Sequence, residues 1–140
     1  MGNTEAKSPI SMRISTGYPL EEKAGYSRAV VVPDAGGDWI FVSGTTGYDY
    51  TTMTIAPDVA EQARQCFRNI EDALGKAGAS LEHVVRLRTL LTDSADFERI
   101  VPILADYMGN ARPPNTAMIV GLIGPSMLIE IEALARKPAA

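Results

Sequence analysis

The chain has 140 residues, 46% of them hydrophobic and 21% charged, with a net charge of -4. This is the composition of one soluble domain, large enough to bury a core without disulfides or metal. The acidic balance argues against a nucleic-acid surface, because phosphate contacts need clustered Lys and Arg, and the lone Cys66 excludes an internal disulfide and fits a reducing, cytoplasmic setting.

No stretch reaches the roughly 20 apolar residues of a membrane helix, and no signal-peptide pattern opens the chain. The start, Met1-Gly2-Asn3-Thr4-Glu5-Ala6, departs from a myristoylation site at Ala6, where Ser or Thr is required. Residues 1–10 are expected to form a flexible N-terminus and residues 11–140 a single domain. A short strand is expected over 11–16, then an irregular stretch over 17–25. Residues 26–32 read as a strand closed by the turn cluster Pro33-Asp34-Ala35-Gly36-Gly37. The next strand, 39–43, ends in Gly44-Thr45-Thr46-Gly47.

Pro57-Asp58 opens a helix whose Val59, Ala63, Cys66, Phe67, Ile70, Ala73, Leu74 and Ala77 recur at helical spacing, with Gly78 as its stop. Residues 84–92 form a strand. Ser94 or Asp96 caps a second helix carrying Phe97, Ile100, Val101, Leu104, Tyr107 and Met108, with Pro102 inside it and Gly109-Asn110 at its end. Residues 116–122 and 127–135 are the last strands. The order β-β-β-α-β-α-β-β is α+β: two amphipathic helices can cover one face of one sheet and leave the other bare.

Strand alternation says what that bare face carries. Ile129, Ile131, Ala133 and Ala135 fall on one side of the last strand, and Glu130, Glu132, Leu134 and Arg136 on the other. Val85, Leu87, Thr89 and Leu91 oppose Arg86, Arg88 and Leu90 in the same way. The apolar sides should meet the helices. The mixed sides place two arginines beside two glutamates, either facing water or buried against other subunits, where such pairs would set geometry more than stability.

The stretches Gly25-Tyr26, Phe41-Val42-Ser43-Gly44, AEQARQCFRNIEDALGKAGASLEHVVRLRTLLTD followed by SADF, and the closing LIEIEALA resemble the RidA family, also called the YjgF family of reactive-intermediate deaminases. The resemblance runs from about Tyr26 to Lys137. It implies a chorismate-mutase-like α+β fold and a homotrimer whose sheets line a central barrel. It also implies inter-subunit clefts that bind small carboxylated molecules, and hydrolysis of 2-enamines and 2-imines to 2-keto acids and ammonia without metal or cofactor.

Carried over by motif, Tyr26 is the pocket tyrosine, Ser43 with Gly44 lies at the cleft, and Glu130 positions a water. Deaminating members carry an arginine, in a Pro-Ala-Arg-Ser run, fifteen residues before that glutamate to hold the substrate carboxylate. This chain has Asn115 there, within Arg112-Pro113-Pro114-Asn115-Thr116. An amide cannot make the bidentate charged pair, and losing such a contact costs on the order of 2–5 kcal/mol. Arg112 is a candidate substitute, with Thr116 beside it; a solvated loop arginine is the alternative. Three functions stay open: an imine or enamine hydrolase, a non-catalytic ligand-binding or regulatory trimer, and, against the charge and the single histidine, an endoribonuclease.

Other residues read as structural. Cys66 falls on the helix's apolar stripe, away from any base. His83 opens a strand, and one His with one Cys makes no zinc cluster. Tyr48 and Tyr50 are expected near the Ser43 opening or on the surface.

Overall fold

The computed structural model describes residues 7–140. Residues 1–6, and with them the Gly2 start and part of the expected flexible N-terminus, lie outside the described residues. The elements are β1 (Met12–Ile14), α1 (Pro19–Ala24), β2 (Ala29–Asp34), β3 (Gly37–Thr46), β4 (Tyr48–Asp49), β5 (Thr54–Ile55), α2 (Val59–Lys76), β6 (Val84–Leu91), α3 (Phe97–Met108), β7 (Asn115–Ile119) and β8 (Ile129–Pro138). Six strands form one sheet in the order β1-β2-β3-β8-β6-β7, parallel only between β6 and β7.

The fold is therefore the expected α+β arrangement, with two additions: the short helix α1 inside the stretch read as irregular, and the β4–β5 hairpin. The β2–β3 connection falls on the predicted turn cluster, with Asp34 paired to Gly37. Pro33 is tolerated in β2 because β1 pairs only as far along β2 as Val31, so the missing N–H leaves no ladder bond unmade.

The core lies between the sheet and α2 with α3. From α2, Val59, Ala63, Cys66, Phe67, Ile70, Ala73 and Leu74 are fully buried, and they meet Ile40, Val42, Leu87, Leu91, Ile129, Ile131 and Ala135 of the sheet. Phe67 stacks on Tyr107 of α3 at 4.8 Å between ring centroids. The Asp58 carboxylate caps α2 by accepting from Glu61 N, and Gly78 follows with φ of 74°, a left-handed turn that favours glycine.

Three local expectations are corrected. The cap ahead of α3 is Asp93, which accepts from Ala95 N; Asp96 makes no side-chain cap. The buried side of α3 centres on Ile100, Ile103 and Met108, while Phe97 and Val101 remain 41% and 44% exposed. Val85 does not face the helices. The β6–β8 register shifts between Val84 and Arg86, so Val84 takes the inward place and Val85 is exposed; a bulge of this kind reverses the alternation. Beyond it, Leu87, Thr89 and Leu91 are buried as expected.

Among the described residues no helix is long and apolar enough to cross a membrane. On the sheet face away from the helices, Arg88 opposes Glu132 in register, with the ion pair at 3.6 Å. Phe41 there is 48% exposed and lines a cavity of about 270 Å³ with Arg86, Arg88, Glu132 and Leu134.

The passage of Gly47, between β3 and β4, under α2 gives a direct test of packing. A methyl on Gly47 would lie 2.7 Å from Gln62 Cα, which is helix backbone and cannot swing away. Gly47→Ala is expected to cost about 1–3 kcal/mol and to lower the thermal unfolding midpoint by several degrees; an unchanged midpoint would mean that β3 and α2 are less closely apposed.

Candidate functional site

The strand β3 carries a bulge where glycine interrupts it. Val42 pairs with Ala133 and Thr45 with Ile131, so Ser43 and Gly44 together oppose Glu132. A bulge leaves a backbone group without its ladder partner, and here the Gly44 carbonyl is satisfied by a side chain: Arg28 Nη1 donates to it at 2.7 Å and reaches Thr45 Oγ1 at 3.3 Å. The serine is held too. Ser43 N donates to Arg28 O at 2.8 Å and Ser43 Oγ donates to Ser27 O at 2.6 Å.

Arg28 is 2% exposed. A buried cation is costly unless paired, and α1 supplies the pair: Glu21 Oε2 stands 3.7 Å from Arg28 Nε. Glu21 is itself buried and accepts from Ser15 Oγ, Thr16 N and Thr16 Oγ1. The guanidinium also lies over the rings of Tyr26 and Tyr50, at 5.8 and 5.5 Å. Helix α1 is opened by Pro19 and ended by Gly25 at φ of 74°, so Tyr18 and Tyr26 flank it at either end.

These parts enclose a cavity of about 490 Å³ lined by Tyr18, Leu20, Ala24, Tyr26, Arg28, Ser43, Gly44, Thr46, Tyr50, Ile123, Met127 and Glu130. Tyr18 packs on Tyr50 and Tyr48, at 5.4 and 6.4 Å between centroids. Burial pushes the Tyr50 hydroxyl up to about 12 and raises Tyr26 as well, so both stay neutral at physiological pH. Burial likewise raises the Glu130 carboxyl, and nearby Glu132 adds to this while Arg28 opposes it. Gly44 lets the carboxylate approach, since a methyl there would overlap it and lie 2.9 Å from Glu130 Cδ.

Two buried amides of α2 brace the walls. Gln62 Nε2 donates to Ala56 O and Ser126 O, and its Oε1 accepts from Leu128 N, all within 2.9 Å. Asn69 Nδ2 donates to Thr46 O and Tyr48 O at 3.1 and 2.7 Å. The segment entering β8 and the segment leaving β3 are thus tied to one helix.

Of the residues expected at the site, Tyr26, Ser43, Gly44 and Glu130 share this cavity. Arg112 and Asn115 line a different one, about 550 Å³, with Phe97, Val101, Leu104 and Met108. Asn115 Oδ1 accepts there from Thr89 Oγ1 at 3.0 Å, and Thr116 sits opposite Arg88 on β7. Arg112 has φ of 46° and ends the turn after α3, its N–H bonded to Met108 O.

Arg28, Glu21, Gln62 and Asn69 were not expected. The only signal for Arg28 is a charge within the expected strand 26–32, two residues after the pocket tyrosine. Cys66 is a buried thiol whose Sγ donates to Thr45 O at 3.3 Å, and burial raises it far above its usual value. His83 accepts from Ser80 N through Nδ1. Among the described residues no group of three or more His, Cys, Asp or Glu is placed to hold a metal ion.

Comparison with known proteins places this architecture. A RutC family protein of Pyrococcus abyssi is 36% identical over 113 residues, 80% of this chain and 86% of its own length. A 2-iminobutanoate/2-iminopropanoate deaminase of Rattus norvegicus is 34% identical over 129 residues, 91% of each chain. A crystal structure from Mycobacterium tuberculosis, described as a member of the YjgF/YER057c/UK114 family, superposes with a TM-score of 0.79 at 38% identity, covering 90% of this chain and 98% of that one. The profile of the family described as Endoribonuclease L-PSP matches residues 18–137, and the chain belongs to that family, the RidA or YjgF family of its sequence resemblance.

Proposed function

We propose that this protein is a homotrimer that binds a small imine or enamine metabolite in the cavity around Glu130 and hydrolyses its C=N bond. The observation that carries the reading is one carboxylate, raised by burial, facing an acceptor serine and neutral tyrosines in a single cavity. The kinship with imine deaminases supports the same chemistry.

The steps follow from the groups present. An enamine first takes a proton at carbon and becomes the iminium, C=NH2+; an imine reaches the same form by protonation at nitrogen. Glu130 accepts a proton from water as the water oxygen bonds to the iminium carbon. The resulting neutral carbinolamine carries OH and NH2 on one carbon. Glu130 returns the proton to nitrogen, the C–N bond breaks as the hydroxyl gives its proton to solvent, and a carbonyl compound and ammonia leave. Ser43 takes no nucleophilic part: its proton is committed to Ser27 O, so its lone pairs accept from the ligand. Tyr26 and Tyr50 hold the ligand from the side.

In the trimer, the bare face with Phe41 and Leu134 turns inward, and the cleft between copies brings a neighbour's residues toward each cavity. Asn115, Thr116 or Arg112 of that neighbour would then bear on which substrate fits. The second reading, a binding or regulatory trimer without catalysis, is favoured by Asn115 standing where deaminating members carry arginine. The net charge of -4 weighs against RNA as the substrate.

Three outcomes check this. Ammonia release from a freshly generated imine or enamine should exceed the buffer rate, and Glu130→Gln should lower it by roughly 10²-fold or more; no rate above buffer together with ligand-dependent thermal stabilisation supports the binder instead. Sedimentation should find three chains of 15.0 kDa together, and Phe41→Asp should split them into single chains. Finally, the raised carboxyl has a sign. Activity needs the ionised form, so its acid limb should lie above the usual 4.5 of glutamate. A folded value above the unfolded one means the ionised group destabilises the fold, negligibly below the unfolded value and in full above the folded one. Glu130→Gln should therefore raise the unfolding midpoint at pH 7 and not at pH 3.

A further inference from the structure

Which ligand the cavity accepts depends on the donors and charges it leaves open, and this inference rests on the reading that the Glu130 cavity is the working pocket. Arg28 is buried, yet its guanidinium is only partly used. Nη1 is spent on Gly44 O and Thr45 Oγ1. Nε is fully enclosed, makes no hydrogen bond, and is balanced by the Glu21 carboxylate 3.7 Å away. Nη2 makes no hydrogen bond either, but it is not enclosed. The opening that Arg28 borders is the Glu130 cavity. The N–H groups of Nη2 therefore face that space without an acceptor.

A buried donor without an acceptor is costly, and the rest of the wall does not relieve it. Among the described residues lining the cavity, Glu130 is the anion, but the ion pair of Arg28 is with Glu21. Arg28 still acts on Glu130 through space, opposing the rise that burial imposes on its carboxyl. Cation and anion thus share one cavity unpaired. Tyr26 and Tyr50 stay protonated, and their rings flank the guanidinium at 5.8 and 5.5 Å, so hydroxyl donors belong to the same wall. A free guanidinium edge among hydroxyls suits a carboxylate, which accepts on both oxygens. Its charge would repel Glu130 unless the ligand brings a cation of its own to that end.

We propose that Arg28 is the carboxylate-binding residue of this cavity: Nη2 takes an oxygen of the ligand, and a nitrogen on the next carbon lies toward Glu130. The favoured substrate is then a 2-imino acid in its iminium form, dipolar like the wall it meets. Its hydrolysis is the one written above, with water supplying the oxygen and ammonia leaving. Arg28 performs within one chain what Asn115 cannot, since Asn115 lines a separate cavity and is bonded to Thr89. Leu20, Ile123 and Met127 provide an apolar seat for the side chain.

The experiment uses the full chain. Valine and valinamide share the ammonium and the side chain and differ in the carboxylate, and both are titrated by calorimetry at one pH and ionic strength. Valine should bind about tenfold more tightly. In a co-crystal with valine, a carboxylate oxygen should lie about 2.7–3.2 Å from Arg28 Nη2. Glu21→Gln combined with Arg28→Met removes both buried charges at once, so neither is left unpaired. This double variant should bind valinamide as before and valine no better than valinamide. For turnover, the imino acid made in situ from valine by an amino-acid oxidase is compared with the imine made from isobutylamine by an amine oxidase. The two differ only in the carboxylate. The imino acid should show about tenfold higher kcat/KM, and the double variant should lose that advantage through KM.

Equal affinity for the two titrants, tighter binding of valinamide, or binding of neither overturns the inference. So does a co-crystal that seats the carboxylate on another cation, Arg112 of a neighbouring copy included, or a double variant that keeps the preference. Should that variant fail to fold, the wild-type titrations and the co-crystal decide the matter. If neither imine is hydrolysed above the oxidase background, the hydrolase reading fails, and the titrations and the co-crystal still decide the role of Arg28. If both imines are hydrolysed equally well, the hydrolase reading stands and the inference fails.

Discussion

The site depends on one backbone carbonyl. The bulge in β3 leaves Gly44 O without a strand partner, and a buried unpaired carbonyl is costly. Arg28, the residue before β2, satisfies it. That solution creates a second demand, because a guanidinium at 2% exposure must itself be neutralised. Helix α1 meets it with Glu21, and Ser15 with Thr16 hold Glu21 in turn. The chain of demands runs from a strand irregularity to a six-residue helix whose two ends set Tyr18 and Tyr26 on the cavity wall. The irregularity is thus not a flaw in the sheet. It lets the Glu130 carboxylate pack against Gly44, and the surrounding polar groups are arranged to sustain it.

The opposite wall is held by α2 through buried amides rather than by apolar packing alone. Gln62 and Asn69 lie on a helix whose stripe is otherwise hydrophobic; Gln62 bonds backbone groups of the loops before α2 and β8, and Asn69 bonds carbonyls at the end of β3 and the start of β4. Where the chain leaves the sheet ladder, a neutral side chain with both donor and acceptor is a suitable brace. It brings no charge into the core. Gly47 between them permits the close approach of strand and helix that the bonds require.

Much of this was legible in the chain. The α2 stripe, the β2–β3 turn, and the inward row Ile129, Ile131, Ala133 and Ala135 follow from periodicity, and the structure buries all four of that row. The grouping of Tyr26, Ser43, Gly44 and Glu130 came from motif resemblance, and the geometry brings them into one cavity. Val85 was misread because a bulge shifts alternation by one, and nothing in Val84-Val85-Arg86 announces it. Glycine does mark a bulge in a strand, but the expected strand ends at Ser43 and Gly44 reads as a strand end at the cleft. Helix α1 gives no periodic signal because six residues are too few, and its partner is Arg28, just before β2. Gln62 and Asn69 fall between the apolar positions of α2, where polarity alone cannot tell a solvated amide from a buried brace.

The two glutamates of β8 show how register decides chemistry. They are two residues apart, share one face, and are the same residue type. Glu132 falls opposite Arg88 on β6 and joins it at 3.6 Å. That pair is open to solvent on both sides and contributes little to stability, about 0–1 kcal/mol. Glu130 falls opposite Leu90 and Thr46, where burial raises it and the charge of Glu132 raises it further. A slip of two residues in the β6–β8 pairing would set Glu130 opposite Arg88 and Glu132 opposite Arg86, without changing which face either occupies. The bulges hold that register, one in β3 at Ser43-Gly44 and one in β6 at Val85, so the same local insertions that disturb the sheet also choose which carboxylate has no ion-pair partner across the sheet.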